Sequence, residues 1–368
     1  MRVVLAAVFL CACWVDLAKA DSFSGYGDQF RRIVMPPNGV GSFGLFGDSL
    51  LNGRIVAMTG RSIFVETGIA TGTFTVAATF DNTVLAAGDA ADPAFLRVSP
   101  DGTRLAIGLG FGKPIAIVPV TALSTGGPAS PIGASSPGVK LFNVPHTEAA
   151  WRNNNQLALS AGSFGSPSRV TLLDTTSNPA APSNQTIIAN IGGASAGVVF
   201  DNTGRLYTGN GFDLGVAAGA SVTGSIRVFA PSQWSSAAAD FENSGTLIGK
   251  VLSASGLTFD AAGDLAVGGG DFGGNDFGYL GLISRSALAD VLAGGSPIDR
   301  NDPSMVRRLT PDSDPFAFYG AAANPLTGEL YATVTDFNTG GNTWYATIPA
   351  PSSATLALVG ILTQRRRR

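Results

Sequence analysis

The 368-residue sequence predicts an all-β fold, a β-propeller of six, alternatively seven, four-stranded blades. Three observations predict it. Glycine and proline are abundant, 48 and 21 residues, and both are poor helix formers. Charged residues make up only 13% of the chain, against roughly 25% in an average soluble protein. Most telling is a turn, polar-Gly or polar-Asn followed by an apolar pair, that recurs along the chain. Its second residues are Gly53, Gly102, Asn155, Gly204, Gly263 and Gly328, at spacings of 49, 53, 49, 59 and 65. Those intervals fit a propeller blade with loops of variable length. The same composition argues against long disorder, which needs low hydrophobicity and high net charge; here 45% of residues are hydrophobic. No internal stretch reaches the ~20 apolar residues of a membrane-spanning helix.

Each repeat unit reads as an antiparallel meander. An apolar strand precedes the turn, as in Leu96-Arg97-Val98 and Leu257-Thr258-Phe259. A second strand follows it, and then a Gly/Phe loop centred on Phe111, Phe164, Phe212, Phe272 or Phe337. A third strand comes next, such as Ile115-Ala116-Ile117-Val118 or Ser225-Ile226-Arg227-Val228. One such unit cannot bury both of its faces, so neighbours must stack, and a ring is the closed solution. Two connections read as short helices, one from Pro231 and one capped by Ser284. A seventh blade would draw on Gly41 to Leu51, joined to the last unit. The segment from Val198 to Phe229, with its Asp-x-x-Gly-x-Leu-Tyr strand pair, resembles NHL-type and YVTN-type blades. That resemblance implies a propeller over about residues 40 to 347 and carries no chemistry.

The two ends read as processing signals, giving a leader at 1–20, a propeller domain at 21–347 and a tail at 348–368. Arg2 opens the leader, an apolar run follows, and Ala18-Lys19-Ala20 is a small-x-small cleavage site. Cleavage after Ala20 removes both cysteines, Cys11 and Cys13, and leaves no disulfide or thiol chemistry. The tail orders Pro349-Ala350-Pro351, an apolar run from Ala354 to Leu362, and Arg365, Arg366, Arg367 and Arg368. An apolar segment followed by cations enters a bilayer with its charged end held cytoplasmic. This tail resembles the PEP-CTERM sorting signal, with Ala350 where that family usually has Glu. The resemblance implies an exosortase-type processing enzyme as partner, transient membrane association, and release to the cell surface or extracellular matrix. Processing would leave 17 basic against 25 acidic residues, a formal net charge of −8 in place of −3. With no Lys/Arg cluster in the domain, nucleic acid is not an expected partner.

Chemistry is sparse. His146 is the only histidine, so no multi-histidine or Cys/His zinc site can be built. It has no nucleophile elbow beside it, is expected on the surface or in a loop, and no residue is assigned to catalysis. No cofactor is expected. Calcium is the one ion the oxygen-rich loops support, and Asp271, Asn275 and Asp276 form the best local cluster, with Asp213, Asp336 and Asn338 in similar loops. Against that stands the ordinary use of Asp and Asn in tight turns. The repeated loop phenylalanines are expected to pack between blades rather than to line a binding face. Together these readings predict a secreted, non-enzymatic surface or matrix protein. Two alternatives have distinct signatures. A calcium-dependent, lactonase-type hydrolase requires acidic residues converging on the central channel. A polysaccharide- or protein-binding propeller requires exposed aromatics on one face.

Overall fold

The computed structural model describes residues 30–33, 53–69, 71–91, 93–124, 128–161, 168–192, 195–210, 224–251, 253–260, 262–270, 279–299, 306–308, 317–324, 329–336 and 341–347. About half of the described residues are strand, arranged in six sheets of four or five strands. The second sheet shows the basic unit. Phe95–Val98, Arg104–Gly108, Ile115–Pro119 and Lys140–Phe142 pair antiparallel in that order. The fifth follows the same pattern with Gly256–Phe259, Leu265–Gly269, Tyr279–Ile283 and Val306–Arg308. The expected turns join first to second strands in the second to fifth sheets, and Gly102, Gly204 and Gly263 there adopt φ of 69°, 80° and 87°. Such left-handed values suit glycine, which explains why a glycine recurs at this point of the repeat.

The third and fourth sheets depart from the four-stranded expectation. Glu148–Asn153, Gln156–Ala161, Ser168–Asp174 and Gln185–Ile191 gain a fifth strand, Ala239–Asp240, in parallel. That strand comes from the connection between the third and fourth strands of the next sheet. Ser195–Phe200, Leu206–Asn210, Gly224–Phe229 and Thr246–Val251 likewise gain Ile298–Asp299. In the first sheet Val56–Thr59, Ser62–Glu66 and Phe74–Phe80 gain Ser130–Ile132 by the same parallel pairing. The borrowed strand lies on a fourth strand in the other two cases. Phe74–Phe80 is therefore in fourth position and Val56–Thr59 in second, just after the expected turn at Gly53.

The sixth sheet contains Ala317–Ala323, Leu330–Asp336 and Gly341–Thr347, and its outer strand is Phe30–Ile33. The N-terminal part of the chain thus joins the last sheet. It does so through Phe30–Ile33; the segment 41–51 proposed for a seventh blade lies outside the described residues. The expected helices form at Pro231–Trp234 and Arg285–Leu292, the latter with Ser284 Oγ accepting from Ala287 N–H at 3.2 Å. Among the described residues no helix is long and apolar enough to cross a membrane.

The core lies between the sheets rather than inside any one of them. One apolar cluster joins Ala322 and Tyr331 of the sixth sheet to Val56 and Ile63 of the first and Leu105 of the second. A second joins Phe95 and Ile117 to Leu157 and Leu173, bridging the second and third sheets. A third bridges third to fourth through Val170, Leu206 and Trp234, and a fourth bridges fourth to fifth through Tyr207, Val228 and Leu265. Between the fifth and sixth, Gly256 lies so close to its neighbour that a Cβ would stand 2.7 Å from the Ala321 nitrogen. Each sheet packs on the next, and the sixth packs on the first.

Candidate binding face

In a four-stranded meander, the loop between strands two and three and the connection to the next sheet leave from the same end. Two described segments of this kind meet between the second and third sheets. They are the loop 109–114 and the connection 143–147. Together with Ala161 and Arg169 they line a cavity of about 560 Å³. That lies within the range of small-molecule sites, about 300–1,000 Å³.

Phe111 stands at the tip of the first segment and is 95% exposed. This corrects the expectation that the loop phenylalanines pack between blades. The physical cause is local. Gly110 and Gly112 take φ of 116° and 69°, and the tight turn they make lifts the intervening side chain off the sheet into solvent. Phe164, Phe212, Phe272 and Phe337 lie outside the described residues. Lys113, next along the loop, donates from Nζ to the Ala90 carbonyl, which ties it to the connection from the first sheet.

His146 is in a loop, as expected, but not on the surface: it is 7% exposed. Its ring meets Phe95 edge to face at 5.5 Å. Gly108 makes that seat possible, since a Cβ there would stand 2.6 Å from His146 Cδ2 and 2.6 Å from Phe95 Cε1. Nδ1 lies 2.8 Å from the Val144 carbonyl, which can only accept, so Nδ1 carries the proton. Burial holds the imidazole below the usual histidine range, against a smaller opposing effect of the Val144 bond. The ring is therefore neutral at pH 7, and Nε2, an acceptor buried from solvent, has no hydrogen-bond partner among the described residues. Arg169 is exposed at the opposite wall.

A second cavity of about 220 Å³ follows the first strands of the second to sixth sheets and marks the centre of the ring. Its walls include Val98, Ala150, Val199, Leu257 and Ala321, with Arg97 as the charged group. The Arg97 guanidinium is buried and spends its donors on Leu96 O, Ala149 O and Glu148 Oε1 at 2.8, 2.9 and 2.7 Å. Trp151 Nε1 donates back to Arg97 O at 2.9 Å.

Acidic side chains elsewhere serve turns. Asp81, Asp101, Asp174 and Asp201 each accept from the backbone N–H and hydroxyl of a threonine two residues on. Among the described residues no group of three His, Cys, Asp or Glu side chains is placed to hold a metal. The calcium candidates Asp271, Asn275 and Asp276 lie outside the described residues, as does Asn338; so do Asp213 and the side chain of Asp336. The cleavage residues Ala18 and Ala20 and the sorting residues Pro349, Ala350, Pro351 and Arg365 to Arg368 also lie outside them.

The architecture is a β-propeller. The chain is similar to the holo pyranose dehydrogenase PQQ domain from Coprinopsis cinerea at 13% identity, covering 89% of this chain and 98% of that one, with a TM-score of 0.54. It is also similar to TolB from Acinetobacter baumannii at 12% identity, covering 83% of this chain and 65% of that one, with a TM-score of 0.42. At 13% identity the likeness to the pyranose dehydrogenase domain is one of fold. No protein-family model and no curated protein sequence matches the chain.

Proposed function

We propose that this protein is a secreted, non-enzymatic β-propeller of six blades that holds a saccharide at the cell surface or in the extracellular matrix. One observation carries the binding role: Phe111, almost wholly exposed, at the mouth of a 560 Å³ cavity. An exposed aromatic at the mouth of a cavity suits the apolar face of a sugar ring. The blade count rests on the six sheets, with Phe30–Ile33 as the outer strand of the sixth. Secretion and exosortase sorting rest on the tripartite leader and tail in the sequence.

Electrophoresis through gels containing dissolved polysaccharides tests the binding role. The mature domain is expected to be retarded by at least one polysaccharide and the Phe111→Ala variant to run freely. Equal mobility in every gel would overturn it. Mass spectrometry of the secreted form is expected to find Asp21 at its N-terminus and the Arg365–Arg368 cluster removed. Calcium is not part of the proposal, so thermal stability is expected to be the same with and without EDTA. A drop in melting temperature on chelation would favour the calcium-dependent hydrolase instead.

A further inference from the structure

We infer that the cavity beside Phe111 recognises an acidic sugar, a saccharide residue carrying a carboxylate. The inference rests on the binding role proposed above and names its ligand class. The charge of the lining comes first. Lys113 and Arg169 are the charged residues of the described wall, and both are cations. They stand out because the sequence without its leader and tail carries a formal net of −8. Arg169 has no hydrogen-bond or ion-pair partner among the described residues, and an exposed guanidinium fork matches a carboxylate bidentately. Lys113 uses one of its three donors on Ala90 O and keeps two.

The rest of the wall fits the rest of such a ligand. Phe111 and Pro145 offer apolar surface to the C–H face of a pyranose ring. Asn143 is exposed and supplies an amide for ring hydroxyls. His146, neutral and seated against Phe95, holds the 143–147 wall in place and presents no charge to the ligand. A simple anion would leave the aromatic unused, and a neutral sugar would leave the guanidinium unused.

The test is affinity electrophoresis and calorimetry on the mature protein. The probes are polygalacturonate, a neutral galactan and poly-glutamate, with Arg169→Gln and Phe111→Ala as variants. Arg169 is exposed, so its substitution leaves the fold intact, and circular dichroism checks this. Polygalacturonate is expected to bind more tightly than galactan. Arg169→Gln is expected to weaken polygalacturonate about tenfold and leave galactan unchanged, the scale of losing one charge-assisted contact. Phe111→Ala is expected to weaken both. Galactan binding equal to polygalacturonate, lost in Phe111→Ala but not in Arg169→Gln, would overturn the acidic-sugar inference and leave the binding role standing. Binding of poly-glutamate as tight as polygalacturonate would also overturn it, in favour of an acidic peptide. Binding of none of the probes would overturn the inference, while the broader polysaccharide screen judges the binding role.

Discussion

Asp201 shows how single residues hold this fold. Its Oδ1 accepts from Thr203 N, Thr203 Oγ1 and Arg205 N at 2.9, 2.7 and 2.9 Å, closing the turn at Gly204. Asp201→Ala is expected to cost about 1–2 kcal/mol in urea denaturation, since three backbone or hydroxyl donors lose one acceptor. Threonine hydrogen bonds hold Asp81 and Asp174 below their ordinary carboxylate range, and the Ser99 hydroxyl does so first for Asp101. A carboxyl depressed in the folded state stabilises it above the unfolded value near 3.8 and loses that contribution as pH falls through the folded value. Stability measured by denaturant is therefore expected to fall first as pH drops below about 6.5, where the unfolded chain protonates His146 and the folded one resists, and again below about 4 as these carboxyls protonate. The use of Asp in turns was legible in the sequence, because an Asp two residues before a Thr or Ala carries its own local geometry. The burial of His146 was not. It depends on Gly108 and Phe95, which lie 38 and 51 residues away in sequence. Nothing about Asn143-Val144-Pro145-His146 announces a ring seated against them.

At the scale of elements, what joins neighbouring sheets matters more than what joins strands within one. Arg97 of the second sheet and Glu148 of the third form a buried ion pair at 2.7 Å, with Trp151 closing the loop of contacts. Cation–π contacts add to this seam and the next: Arg104 lies 5.4 Å from the Trp151 ring and Arg152 lies 4.7 Å from Trp234. Arg97→Ala leaves the Glu148 carboxylate buried without its main cation and is expected to cost about 3–5 kcal/mol, read from the shift of the unfolding midpoint. Arg97→Met together with Glu148→Leu removes both charges and is expected to cost far less. The meander of strands was legible, since alternation and turn glycines are local signals. The borrowed strands were not. Ala239–Asp240 and Ile298–Asp299 are two residues long and pair in parallel with a sheet whose last strand ended far upstream. Their sequences, behind short helices, contain nothing that marks a strand.

The whole molecule must solve a problem no single sheet faces: the ring has to close. A chain that lays down sheets in order leaves its first and last units to find each other across its full length. Here three devices bring them together. Ala322 and Tyr331 of the sixth sheet share a core with the first, and Phe30–Ile33 pairs in register with Trp344 to Thr347. Asn324 Nδ2 adds a hydrogen bond to Gly53 O at 3.2 Å, across 271 residues. The repeat period foretold a ring, and residues 41–51 were the part expected, for a seventh blade, to join the last unit. The strand that does so is four residues, Phe-Arg-Arg-Ile, too short to carry a periodic signal. Removing the residues up to Ile33 would strip the sixth sheet of its outer strand and expose the edge of Gly341–Thr347. An open edge offers unpaired N–H and C=O groups to other chains. The truncated domain is therefore expected to unfold at a lower temperature and to self-associate in light scattering. Adding back a peptide of residues 21–36 is expected to restore both properties, because it resupplies the missing strand. A truncated domain as stable and as monomeric as the intact one would show that the shared core alone closes the ring.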